Sequence, residues 1–217
     1  MKNLINRILT SSILLVIVYF SIINSSFLIF ILLLISYLAL IEFNSIFKYI
    51  FKKKLHFFFI SISISLVYLC IFSLSIWNHL FLLNQNNIAS LAFLLIVCAS
   101  TDIGGFLFGK ILGGKKLTKI SPNKTYSGLI GSFFLSMLCG LVFYNIFNNL
   151  LIFKIDIISL IFLISLISQC GDLLISFLKR KAKIKDTGYL LPGHGGILDR
   201  IDGILIALPI GILFVTT

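Results

Sequence analysis

Four of the seven acidic residues in this 217-residue chain, Asp172, Asp186, Asp199 and Asp202, fall between Ser168 and Gly203. The same stretch carries Lys179, Arg180, Lys181, Lys183, Lys185 and Arg200, with His194 in a Gly- and Pro-rich turn. Asp172 follows the apolar run IDIISLIFLISLISQCG, so it belongs to a membrane helix or its edge. A carboxylate costs about 2.5–3.5 kcal/mol at a helix centre on insertion scales, and such a group is by default functional and partnered. Helical spacing puts Ser165, Ser168, Asp172, Ser176 and Lys179 on one face. Asp199 and Asp202, three apart, share a face of the first turn of the next helix. Asp102 is a second intramembrane carboxylate, within Ser100-Thr-Asp102-Ile-Gly104-Gly105. Carboxylates hold Mg²⁺, and the metal with Lys and Arg neutralises phosphate oxygens. Glycines let backbone N–H groups approach an anion. Together these residues point to a site for metal-bound phosphates at a membrane surface.

Two shorter motifs lie upstream. Gly113-Gly114-Lys115-Lys116 precedes Ile120-Ser121-Pro122-Asn123-Lys124-Thr125. Pro122 fixes a turn that would present Ser121, Lys124 and Thr125 to a phosphate.

The run Ser176-x-x-Lys179-Arg180-(x)4-Lys185-Asp186-x-Gly188-(x)3-Pro192-Gly193-His194-Gly195-Gly196-x-x-Asp199-Arg200-x-Asp202 resembles the signature of the phosphatidate cytidylyltransferase (CDP-diacylglycerol synthase) family. The patterns around Asp102–Lys110 and Ser121–Thr125 resemble it too, so the resemblance covers about residues 95–203. It departs from the family at Ser127 and Ile175, where the family carries glutamate, and at Gly203, where it carries serine.

The resemblance implies transfer of CMP from CTP to phosphatidate, giving CDP-diacylglycerol and pyrophosphate. It implies Mg²⁺, as two divalent ions or as a divalent with a monovalent ion, held by Asp172 and Asp199 with Asp102. Asp202, Lys179 and His194 join the catalytic group, His194 either donating to the leaving pyrophosphate or holding the turn. Ser121, Lys124, Thr125, Ser176, Arg180, Lys185, Gly195, Gly196 and Arg200 would contact substrate. The family further implies a homodimer. On the residues alone two other classes stay open: a related CTP-dependent lipid cytidylyltransferase or polyprenol kinase, and a non-enzymatic lipid-binding or transport protein.

The elements that must position these residues are membrane helices. The chain is 59% hydrophobic against about 45–50% in soluble domains. A span needs about 20 mostly apolar residues. Runs at 7–24, 27–47, 56–77, 88–108, 127–147, 156–177 and 201–217 predict seven, in an all-α polytopic membrane protein. With the N-terminus in the cytoplasm and the C-terminus outside, Lys154 alone among the 18 Lys and Arg lies external, as the positive-inside rule requires. The acidic stretch then faces the cytoplasm, where CTP is found, in the inner or plasma membrane. The formal charge of +11 sits in short loops between spans, which argues for the lipid bilayer and against nucleic acid as its partner. Residues 1–87 read as anchoring helices and 88–217 as the catalytic region. Glu42, near the end of the second span, reads as paired with a nearby cation or, alternatively, as support for the site. The stripe Gly128, Ser132, Ser136 and Gly140 reads as a helix-packing seam.

Overall fold

The computed structural model describes residue 20 and residues 24–52, 54–82, 87–118, 121, 124–188 and 195–215. Six α-helices run through them: α1 (Ser25–Ile50), α2 (Leu55–Trp77), α3 (Asn87–Leu112), α4 (Tyr126–Phe147), α5 (Ile157–Ala182) and α6 (Leu198–Leu213). A π-helical turn, Asn78–Leu82, extends α2, and a 3-10 turn, Asn148–Leu150, extends α4. Among the described residues the only β pairing is two isolated bridges. The helices coincide with the apolar runs from 27 onward; the run at 7–24 lies almost wholly outside the described residues.

Helices α1 to α5 are each long and apolar enough to cross a bilayer. This is the architecture of a multi-pass membrane protein. Large side chains such as Phe106, Ile130 and Phe134 stand exposed on their outer faces, as a lipid environment requires. Helix α6 has 16 residues, slightly short of the usual span length.

The helix ends differ from the apolar runs for a physical reason. Hydropathy stops where polar residues begin, but helical hydrogen bonding does not. Helix α5 therefore continues through Lys179, Arg180 and Lys181, whose charges suit the negative C-terminal end. It ends where Lys183 takes φ +61 and the N–H groups of Lys183 and Ile184 turn back to the carbonyls of Arg180 and Lys179.

The chain forms two compact units. The first holds the described residues up to Phe81 together with Leu178–Ile201. In it α1 and α2 pack together, Ser36 and Ser73 sharing a 2.7 Å hydrogen bond. Asn24 caps α1, its side chain accepting from the N–H groups of Ser26 and Phe27.

The second unit holds Leu82–Phe177 and the described residues from Asp202 on. Its tightest contact is α3 against α4. A Cβ on Gly104 would lie 2.5 Å from the Gly131 carbonyl oxygen, and one on Gly128 would lie 2.7 Å from that of Gly105. The stripe Gly128–Ser132 is thus a packing seam, with Gly104, Gly105 and Gly109 as its other half. Helices α5 and α6 meet as closely: a Cβ on Gly171 would stand 2.6 Å from the Asp202 carbonyl oxygen, and one on Gly203 would strike the Ser168 hydroxyl. Serine, the family residue at 203, would have to displace that hydroxyl.

Candidate active site

Each unit carries one cluster of ionisable side chains. In the second unit, Asp102 comes from α3, Asp172 from α5 and Asp202 from α6. Lys124 comes from the turn before α4 and puts its Nζ 2.5 Å from Asp172 Oδ2. Ser176, one turn along α5, donates to Asp172 Oδ1 at 3.3 Å. Asp202 and Asp102 both lie within electrostatic reach of Asp172, and Asp102 also of Lys124.

Lys124 is held by backbone. The N–H of Leu117 donates to the Lys124 carbonyl at 2.8 Å, the Lys124 N–H donates to that of Ser121 at 3.1 Å, and Lys116 bridges to Thr125. Thr125 caps α4, its hydroxyl accepting from the Gly128 N–H at 3.1 Å. Ser127 pairs with the Thr125 hydroxyl and donates to the Gly113 carbonyl. The loop is therefore stapled at the position where the family carries glutamate.

Three carboxyl groups stand against one ammonium, an arrangement that suits a further cation. The Lys124 ammonium already stands where a cation contacts Asp172. Among the described residues no three Asp, Glu, His or Cys side chains converge as a ready coordination shell. The donors nonetheless suit a hard divalent ion, which takes one or two carboxylates and fills its remaining positions with water and phosphate.

In the first unit, Lys179 Nζ lies 2.6 Å from Asp199 Oδ1, with side chains only 14% and 10% exposed. Asp199 Oδ2 accepts the backbone N–H groups of Thr187 at 2.9 Å and Gly196 at 3.1 Å. Burial pushes the Asp199 carboxyl up, but the Lys179 ammonium and these two N–H groups outweigh it and hold the group below its ordinary value. The Thr187 hydroxyl lies 2.6 Å from Glu42 Oε2 and 3.0 Å from Asp199 Oδ2. Glu42, 2% exposed on α1, also accepts the N–H groups of Ile197 at 2.8 Å and Leu198 at 2.9 Å.

The expected site residues thus divide. Asp102, Lys124, Thr125, Asp172, Ser176 and Asp202 gather in the second unit, with Ser121 in the loop that carries Lys124. Lys179, Gly195, Gly196 and Asp199 gather in the first. Asp199, expected beside Asp172 at a metal, has Lys179, Thr187 and Gly196 as its described partners. Arg180, Lys185 and Arg200 are exposed in that unit. His194 lies outside the described residues. Ile175, the other departure from the family pattern, is 1% exposed in the core. Two further participants join the expected residues, Thr187 missed by the sequence and Glu42 read there as a cation partner or as support for the site. Thr187 sits inside the motif run without belonging to its pattern. Glu42 is the sole acidic residue of the first hundred, a signal available but ambiguous.

The fold defines a polytopic helical protein that carries two clusters of ionisable side chains. Residues 54–217 match the cytidylyltransferase family, and the chain belongs to it. It is 42% identical over 126 residues to a phosphatidate cytidylyltransferase of Brucella suis biovar 1 (strain 1330), covering 58% of this chain and 46% of that protein. It is 42% identical over 111 residues to one from Staphylococcus aureus (strain COL), covering 51% and 42%. The match thus spans somewhat less than half the length of these curated relatives.

Proposed function

We propose that the protein is a nucleotidyltransferase that moves the CMP group of CTP onto phosphatidate, releasing pyrophosphate and leaving CDP-diacylglycerol for phospholipid synthesis. A phosphatidate oxygen forms the new bond to the α-phosphorus as the α–β phosphoanhydride bond breaks, the electron pair leaving with pyrophosphate. The nucleophile is a phosphate monoester whose second pKa is near 6, so it is largely ionised at neutral pH and needs no strong general base. The protein's work is then positioning and charge neutralisation.

The observation that carries this reading is the gathering of Asp102, Asp172 and Asp202 from three helices about Lys124; the names of the relatives support it. Asp172, with Asp102 or Asp202 beside it, would hold Mg²⁺, which supplies charge neutralisation at the reacting phosphates when bound. Lys124 exchanges its carboxylate partner for substrate phosphate. Lys179, Arg180, Lys185 and Arg200 serve triphosphate or lipid phosphate, and Asp199 holds Lys179. The chain crosses the cell membrane seven times, both clusters face the cytoplasm, and the working form is a homodimer.

The test is transfer of label from [α-³²P]CTP into the lipid phase by purified protein with phosphatidate in detergent micelles. Mg²⁺-dependent label in lipid is expected. No label from folded, CTP-binding protein would overturn the proposed acceptor, and label arriving only from [γ-³²P]CTP would make the protein a lipid kinase.

A further inference from the structure

Glu42 lies outside the segment that matches the family, yet it is buried and both of its carboxylate oxygens accept hydrogen bonds. A buried ionised carboxylate demands partners. Those it finds are the Thr187 hydroxyl and the N–H groups of Ile197 and Leu198, at the point where α6 begins. The first N–H groups of a helix have no partner within it, and that end carries partial positive charge. Glu42 therefore serves as the cap of α6 from a different helix, at a separation of 155 residues for Ile197.

The glycines beside it carry a second, independent observation. Gly188 and Gly196 belong to the motif run, but neither has a positive φ. Space explains them instead. A Cβ on Gly188 would stand 2.8 Å from Glu42 Oε1. A Cβ on Gly196 would stand 2.5 Å from Oε2 and would collide with the Thr187 hydroxyl. These two glycines make room for the Glu42 carboxylate.

The consequence reaches the Lys179–Asp199 pair. A hydroxyl has one proton, and Thr187 places it between Glu42 and Asp199, with Glu42 nearer. The Thr187 and Gly196 N–H groups then fix Asp199, and Asp199 fixes Lys179. We propose that Glu42 is a positioning residue: by capping α6 and seating Thr187 against Gly188 and Gly196, it sets the Asp199–Lys179 pair in the geometry that the cytidylyl transfer uses. This rests on the functional reading above and extends it to a helix assigned only an anchoring role.

The test uses the full chain in detergent with Glu42→Gln, Thr187→Val and Thr187→Ser, each scored per folded molecule after size-exclusion chromatography. An amide offers one accepting oxygen, so Glu42→Gln sets an N–H against an N–H. Expected for Glu42→Gln and Thr187→Val is a fall in kcat of about tenfold or more, the usual size of losing an orienting partner, with KM for CTP and phosphatidate within about threefold. Thr187→Ser, which keeps the hydroxyl, should return most of kcat. A lower melting temperature with kcat per folded molecule unchanged would overturn the proposal, as would Thr187→Ser behaving like Thr187→Val. If the unaltered chain transfers no CMP, the functional reading has failed and the catalytic part of this inference fails with it. Hydrogen exchange then judges the geometry: in Glu42→Gln the amides of 195–198 should exchange faster while those of α4 do not, and unchanged exchange would refute the cap itself.

Discussion

Lys124 and Lys179 each meet a carboxylate at close to 2.5 Å, but they hold different positions in the chemistry. Lys124 sits on a loop and its pair with Asp172 is about a quarter exposed, so the pair can open. Lys179 is on the last turn of α5, and its partner Asp199 is tied down by two backbone N–H groups. Replacing Asp172 with Asn removes the negative charge that the proposed site offers a cation, and should abolish label transfer while leaving monodisperse protein. Lys124→Met should lower kcat on the order of 10²-fold, the scale of losing one electrostatic contact to a transferring group. Normal turnover in Asp172→Asn would remove that residue from the site.

Asp199 also makes a pH prediction. Its carboxyl is held below the ordinary value, so the native state favours its ionised form. The stabilisation is fully present above the unfolded value of about 3.9 and is lost as pH falls through the lower folded value. Thermal stability of the unaltered chain should therefore drop more steeply below about pH 4 than that of Asp199→Asn. Parallel curves from differential scanning fluorimetry would contradict it.

At the scale of elements, helix contacts are set by glycine, but not for one reason throughout. Gly104 faces backbone across the α3–α4 seam, and backbone cannot change rotamer. Gly104→Ala should destabilise by about 1–3 kcal/mol, the cost of overpacking. Gly113 has φ +59 and nothing within 4 Å of its missing Cβ. Asn tolerates that conformation, so Gly113→Asn should cost less than about 1 kcal/mol. Melting temperatures in detergent would separate the two, and an equal loss would refute the assignment of Gly104 to close packing.

The apolar runs made the helices from α1 onward legible, because a membrane span announces itself by length and hydropathy alone. The polar ends were less legible. Arg180 and Lys181 lie past the apolar run and are helix by hydrogen bonding. The carboxylates were legible because a charge in an oily run is conspicuous. Their partners were not: Thr187 finds Glu42 across 145 residues, a contact that no local spacing encodes. That Asp199 pairs with Lys179 and Asp172 with Lys124 was equally hidden, since spacing along the chain does not choose between them.

At the scale of the whole molecule, the loop charges and the site chemistry make one demand. On the proposed function both clusters serve a nucleotide found on one side of the membrane, which puts the turns bearing Lys124 and Asp199 on that side. An odd number of crossings with the N-terminus inside does this and leaves Lys154 as the lone external cation. Lys154 is tied there, its Nζ donating to the Leu213 carbonyl at 2.9 Å at the far end of α6. The C-terminal end of α6 should therefore lie outside with Lys154. A reporter active only in the cytoplasm should be silent when fused after Thr217 and active when inserted at Gly114, with a periplasmic or surface reporter giving the opposite pattern. Cytoplasmic activity at both positions would require α6 to return without crossing, and its 16 residues would then be a half-buried hairpin arm rather than the last span.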